Sequence, residues 1–306
     1  MQVQILGTES LGVRGLCCVV KTCDRNIVFD PGVALGYTRW GLLPHPAQVA
    51  VVEQVRGRIC EALDTATDVV ISHFHGDHMP LTDANPYQLS ADVWAQLPKT
   101  IRFWTKGAAN ESRHSQQRRT SLMRSLGREL PDVTGRHIAP FTFSEDVPHG
   151  RLGSRQGNVM MTRVESEGAV FVHASDIQLL DEGAVTQILQ WAPTLLVVSG
   201  PSLYRGLTAI QGETAWHHAV ALAGRVHTCI IDHHLLRCEA GIAWVERLAQ
   251  ETGGNAMCAA DFMRQPRRLL EARRRELYER MPVPEGWHEA YRLGLANTSA
   301  YRNAIG

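Results

Sequence analysis

The sequence lacks a surplus of charge of either sign: 31 Lys and Arg stand against 31 Asp and Glu, a formal charge of zero. That removes any global electrostatic case for nucleic acid or an acidic membrane as a partner. Long hydrophobic runs are missing too. No window approaches the ~18 uninterrupted apolar residues of a membrane span. The start, Met1-Gln2-Val3-Gln4-Ile5-Leu6, has neither the basic residues nor the apolar length of a signal peptide, and reads as a strand. Disulfide chemistry is poorly served: the seven cysteines are odd in number, form no C-x-x-C, and several lie in apolar runs. Reduced, packed thiols and a cytoplasmic setting follow. No G-x-S-x-G elbow occurs, so a serine nucleophile of that type is excluded. Repeats and low-complexity stretches are absent as well.

What is present is the composition of a packed globular protein, 44% apolar and 20% charged. Short runs rich in Val and Ile recur at 17–20, 27–29, 69–72, 169–173, 195–199 and 228–231, each bounded by polar or turn residues, as buried strands should be. Between them, Val49, Val52, Val55, Ile59 and Leu63 recur at helical spacing and predict an amphipathic helix over 47–63. Residues 111–126, 181–190, 213–222 and 240–250 also read as helices, with Asp181 and Glu182 favouring an N-terminus. The order predicts a layered α/β fold with helices outside sheets. After about residue 262 the character changes. Arg and Glu crowd 264–281, with Leu269, Leu270, Leu277 and Met281 as an apolar stripe, which predicts a solvated surface helix. The expected organisation is a main domain over 1–262 and a C-terminal helical extension, 263–306, packed on it.

The densest chemistry lies at 68–78, Asp-Val-Val-Ile-Ser-His-Phe-His-Gly-Asp-His. A buried strand runs straight into His73, His75, Asp77 and His78, four metal-competent side chains within six residues. Imidazole and carboxylate are the usual ligands of zinc, iron and manganese. Gly76 is expected to turn the backbone, so that Asp77 and His78 face a different point from His73 and His75. One loop could thus serve two metals. A zinc-type centre needs three or four protein ligands per ion, so further His and Asp should stand at other strand ends. His149, Asp176, His233 and His234 do, and Asp30 ends the run Ile27-Val-Phe in the same way.

At this point the sequence resembles the metallo-β-lactamase superfamily, whose signature is H-x-H-x-D-H followed by a His, an Asp and a His. More narrowly, it is similar to an uncharacterised, largely archaeal family of predicted metal-dependent hydrolases. The shared stretches are Ser10-Leu-Gly-Val-Arg-Gly15, Asp30-Pro-Gly-Val-Ala-Leu-Gly36, Ser72 to His78, Asn110 to Arg119, and Val147-Pro-His-Gly150. They continue with Ser175-Asp-Ile-Gln178, Ser199-Gly-Pro201 with Tyr204, and Asp232-His-His-Leu-Leu-Arg237. The chain departs from the family at Gly76 and Met79, which leaves the ligands intact. The resemblance covers roughly residues 1–250 and implies a four-layer αββα sandwich. It further implies one metal on His73, His75 and His149, a second on Asp77, His78 and the last His, and Asp176 bridging both. His233, which directly follows its strand, is preferred for the last position over His234. Asp30 would orient a ligand from behind it.

Two divalent ions, zinc first with iron or manganese as alternatives, would activate water near neutral pH without a protein nucleophile. Asp77 could hold or deprotonate that nucleophile, and His234 or His173 could hand a proton to the leaving group. Arg118 and Arg119, in an Arg-rich segment, are the candidate clamp for an anionic small-molecule substrate. The expected activity is hydrolysis, of a phosphodiester first and of an ester, lactone or thioester otherwise. An iron-dependent oxidoreductase and a metal-binding protein without activity are the other classes, and a homo-oligomer stays open.

Overall fold

The computed structural model describes every residue except 96, 110, 152, 154–156 and 306; Asn110, which opens one of the shared stretches, is therefore outside the described residues. The first sheet holds β1 (Gln2–Gly7), β2 (Cys17–Lys21), β3 (Asn26–Phe29), β4 (Asp68–Ile71) and β5 (Arg102–Thr105) in sequence order. The second sheet contains β6 (His137–Ile138), β7 (Phe141–Phe143), β10 (Thr162–Ser166), β11 (Ala169–Ala174), β12 (Leu195–Val198), β13 (Thr228–Ile231) and β14 (Ala256–Met257). Its spatial order is β14-β13-β12-β11-β10-β7-β6. A two-stranded ribbon, β8 (Val147–Pro148) with β9 (Asn158–Val159), stands apart.

Alternation along the strands makes the layers. Cys17 and Val19, Val28, and Val69 and Ile71 join one buried cluster with Val49, Val52, Val55 and Ile59 of α1 (Pro46–Asp64) and Leu122 of α2 (Arg113–Leu126). Their neighbours Cys18 and Val20, Ile27 and Phe29, and Val70 point the other way, into a cluster shared with the second sheet. Phe29 and Phe171 meet across the sheets with ring centroids 5.4 Å apart, both fully buried. Each such ring contributes ~2–3 kcal/mol by leaving water. The same cluster takes in α3 (Glu182–Gln190), α4 (Ala209–Ala223) and α5 (Ala240–Glu251), which cover the second sheet. Helix, sheet, sheet, helix is the four-layer order that the resemblance implies.

Local chemistry sets the helix starts. Asp181 accepts from Ala184 N–H and caps α3. Thr208 and Gln211 close a capping box, so α4 begins four residues before the predicted 213. The C-terminal segment differs more from expectation. Two short helices, α6 (Ala259–Phe262) and α7 (Arg274–Arg280), flank a non-helical stretch, and α8 (Trp287–Arg292) follows. Only 274–280 of the predicted helix over 264–281 is helical. Leu269 enters the inter-sheet cluster and Leu270 the α1 cluster, while Arg268 N–H donates to Ser10 carbonyl. Nor are its charges all solvated: Glu271 and Arg274 are buried. Arg14 and Arg39 hold Glu271 at 2.5 and 2.8 Å, and Arg274 donates to the carbonyls of Gly36 and Leu42. Long-range pairing, which the local charge pattern does not reveal, replaces the surface helix.

Strand direction positions the chemistry. β3 and β4 run parallel, as do β11, β12 and β13. Asp30, His73, Asp176 and His233 each follow one of these strands, so the topology delivers them to the carboxyl edges of the two sheets.

Candidate metal centre

Three strand-end residues adopt left-handed backbone: Asp30 at φ 43°, Asp176 at φ 57° and His233 at φ 27°. Such geometry costs ~1–3 kcal/mol per residue and persists where surrounding structure enforces it. Here it turns each side chain from its strand into one buried cluster. Gly76, by contrast, is not among the residues with positive φ. Its smallness is what matters: an added Cβ would lie 2.7 Å from Leu81 Cδ1.

The cluster has two halves. His73, His75, His149 and Asp176 present ligand atoms within 4.8 Å of one another, and Asp77, His78 and His233 do the same. Asp176 joins them. Its Oδ2 lies 2.6 Å from His149 Nε2, 3.3 Å from His73 Nε2 and 3.9 Å from His75 Nδ1. Its Oδ1 lies 3.2 Å from His78 Nε2 and 3.1 Å from His233 Nε2. Asp77 approaches His78 Nε2 at 3.9 Å and His233 Nε2 at 3.7 Å. One carboxylate thus offers a separate oxygen to each half.

Behind these atoms sits a layer of anchoring contacts. Asp30 accepts from Ser72 N–H and hydroxyl, and its Oδ2 is 2.9 Å from His78 Nδ1. That bond directs His78 Nε2 into the cluster. Glu9 does the same for His233, with Oε2 2.7 Å from Nδ1, while its Oε1 takes Arg237 Nε at 2.7 Å. Gln178 pairs with His149 Nδ1 at 3.1 Å.

The donor set fits divalent cations. Imidazole nitrogens and carboxylates converge in a water-poor place, and His73 Nε2 is buried without a hydrogen-bond partner. Electrostatics agree. Burial, with His78 and His75 alongside, pushes His73 down to about 3. Burial lowers His149 and His234 as well, so these rings carry lone pairs at neutral pH. For His78 and His233 burial is overridden: Asp176 and Asp77 raise the first, and Glu9 and Asp176 raise the second to about 9. Asp77 and Asp176 lie below the usual carboxylate range, because burial is outweighed by the neighbouring histidines. The protein alone therefore holds protons that a bound cation must displace.

The chain aligns with a UPF0282 protein of Methanosarcina mazei at 49% identity over 302 residues, 98% of this chain and 99% of that protein. It matches a UPF0282 protein of Methanopyrus kandleri at 33% identity over 292 residues, 90% of this chain and 99% of that one. The chain belongs to the UPF0282 family. No family model matches it. Among solved structures, a metal-dependent hydrolase of the β-lactamase superfamily is similar with a TM-score of 0.49 at 14% identity, over 84% of this chain and 94% of that one.

Within this UPF0282 chain the remaining sequence candidates fall in different places. His234 stacks on His233 with centroids 4.5 Å apart, and its Nε2 stands 3.6 Å from Asp176 Oδ2. Its Nδ1 is buried without a hydrogen-bond partner. His173 lies between the sheets against Phe29 and pairs with the Leu16 carbonyl. Arg118 donates to the Phe74 carbonyl within the histidine loop. Arg119 is not brought to the cluster: its guanidinium turns to the Leu130 carbonyl and Met123 sulfur. Sequence reasoning missed Glu9. An acid two residues past β1 follows the same strand-then-acid rule that singled out Asp30, and that was the available signal. No helix among the described residues is long and apolar enough to cross a membrane.

Proposed function

We propose that this chain is a metal-dependent hydrolase acting on an anionic small molecule, with a phosphodiester as the favoured substrate. The observation that carries the reading is Asp176, whose two oxygens face two separate sets of nitrogen and carboxylate donors. His73, His75, His149 and Asp176 Oδ2 would hold one ion. Asp77, His78, His233 and Asp176 Oδ1 would hold the other, leaving His234 outside both sets. Zinc suits a mixed imidazole and carboxylate shell, and iron and manganese are the alternatives. Such ions supply an acidified water and a Lewis acid for the electrophilic oxygen.

The chain's own groups do the rest. Asp30 and Glu9 fix the direction of His78 and His233. Asp77, the more open of the two cluster carboxylates, orients the attacking water through its free lone pairs. His234, neutral and with Nδ1 unpaired, would take up the proton released by the attacking water and pass it to the leaving group. Arg118, on the rim of the histidine loop, steers the anion. The seven cysteines are all free, which supports a cytoplasmic setting.

Hydrolysis of bis(p-nitrophenyl) phosphate by the purified chain tests the reading. Turnover should vanish with chelator and return with zinc. Arg118→Ala should raise KM, because one charge-assisted contact is worth ~1.5–3 kcal/mol, or roughly one to two orders of magnitude in kcat/KM. Arg119→Ala should leave KM unchanged. A chain that cleaves neutral lactones or thioesters and ignores phosphodiesters would overturn the substrate class. Bound iron with oxygen consumption would overturn hydrolysis itself.

A further inference from the structure

One guanidinium away from Asp77 stands a tyrosine ringed by positive charge. Tyr204 lies on the turn Leu203–Arg205 after β12. Its phenol oxygen accepts from Arg205 Nε at 3.1 Å and from Arg237 Nη1 at 3.2 Å. The guanidiniums of Arg39, Arg205 and Arg237 also lie 5.5–5.8 Å from its ring centre. Arg237 in turn places Nη2 3.4 Å from Asp77 Oδ2, which ties this tyrosine to the metal cluster.

Counter-charges cover most of these arginines. Arg39 pairs with Glu271, and Arg237 with Glu9. Arg205 is exposed, and among the described residues its side chain forms no ion pair and one hydrogen bond, to Tyr204. Two cations are thus held against one neutral oxygen, and one of them has no carboxylate partner. Like charges so placed repel unless an anion joins them. The hydrogen bonding points the same way. A phenol oxygen that accepts two guanidinium N–H groups has its own hydrogen free to donate. Arg205 keeps its terminal nitrogens free beside it, a planar fork suited to a phosphate.

We propose that Tyr204 and Arg205, backed by Arg237, form an anion subsite that binds a phosphate group of the substrate other than the one cleaved. Its position beside Asp77 sets that phosphate a short spacer away from the reacting bond, which selects substrates carrying two phosphates over those carrying one. The word substrate rests on the hydrolase reading; the anion subsite itself does not.

The full chain is titrated calorimetrically with inorganic phosphate, both as purified and after removal of metal by chelator. One phosphate should bind per metal-stripped chain, at least tenfold more weakly in Arg205→Gln and several-fold more weakly in Tyr204→Phe. Because Arg205 is exposed, the first variant should keep the wild-type melting temperature. In a second arm, thymidine 5′-(p-nitrophenyl phosphate) is compared with its 3′-phosphorylated form. The wild type should show the lower KM for the probe with two phosphates, and Arg205→Gln should abolish the difference. Equal phosphate affinity in wild type and Arg205→Gln, or no binding to the wild type, overturns the subsite. Phosphate binding that depends on Arg205, in a chain that hydrolyses neither probe, overturns the phosphodiester reading and upholds the subsite.

Discussion

Oε2 of Glu9 lies 2.7 Å from Nδ1 of His233, a partner 224 residues further along the chain. A carboxylate at that nitrogen fixes the tautomer whose Nε2 faces Asp77 and Asp176. Removing such a partner typically weakens metal affinity ~10–100-fold. Glu9→Gln should therefore weaken one of two metal equivalents by about that factor and leave the other unchanged, as read by competition with a chromophoric chelator. Equal weakening of both would show that Glu9 does not act through His233.

His233 and His234 separate in the same assay. His233 belongs to the set with Asp77 and His78, whereas His234 groups with Asp176 and His233 only. His233→Ala should lose one metal equivalent. His234→Ala should keep both and lose turnover. The reverse result would exchange their roles.

Gly32 is where two loops touch backbone to backbone. A Cβ there would sit 2.1 Å from Met79 N and 2.4 Å from His78 C, and neither atom can swing aside. Gly32→Ala should destabilise the chain by ~3 kcal/mol, the upper end for overpacking, and should also weaken metal binding by pushing Asp30 off His78. Gly168→Ala, at φ 76° in open space, should cost only ~1–2 kcal/mol. Urea denaturation of the two variants gives the comparison; equal losses would remove the argument from contact.

Glu271 couples the C-terminal segment to acidity. Burial alone would raise its pKa, but Arg14 and Arg39 hold it well below the usual carboxylate range. A depressed folded value gives stability that is fully present above the unfolded pKa of ~4.3 and is lost as pH falls below it. Glu271→Gln should cost ~3–5 kcal/mol at pH 7, as for breaking a buried pair. The gap to wild type should narrow steadily below about pH 4. A gap independent of pH would mean that packing, not charge, is what Glu271 provides.

How far the sequence carried follows from the range of each interaction. The runs at 17–20, 27–29 and 228–231 match β2, β3 and β13 within a residue, because a buried strand writes its burial into adjacent positions. The H-x-H-x-D-H loop is legible for the same reason: its four side chains are local. Glu9 carried only the local signal of an acid just past β1; its partners His233 and Arg237 are more than two hundred residues away, and no local spacing encodes that pairing. Residues 264–281 misled in the opposite sense. Their charges stand at helical spacing, yet Glu271 and Arg274 find Arg14, Arg39 and the Gly36 and Leu42 carbonyls instead of each other's helix face. Arg118 and Arg119 show the same limit, since spacing along a helix does not say that one turns to the Phe74 carbonyl and the other to the Leu130 carbonyl.

Elemental analysis of the full chain, purified without chelator, tests the central claim most directly. Asp176 facing both halves of the cluster leads to an expectation of close to two equivalents of transition metal per chain, falling to one in His233→Ala. A reproducible value below one equivalent in the wild type would contradict the dinuclear centre.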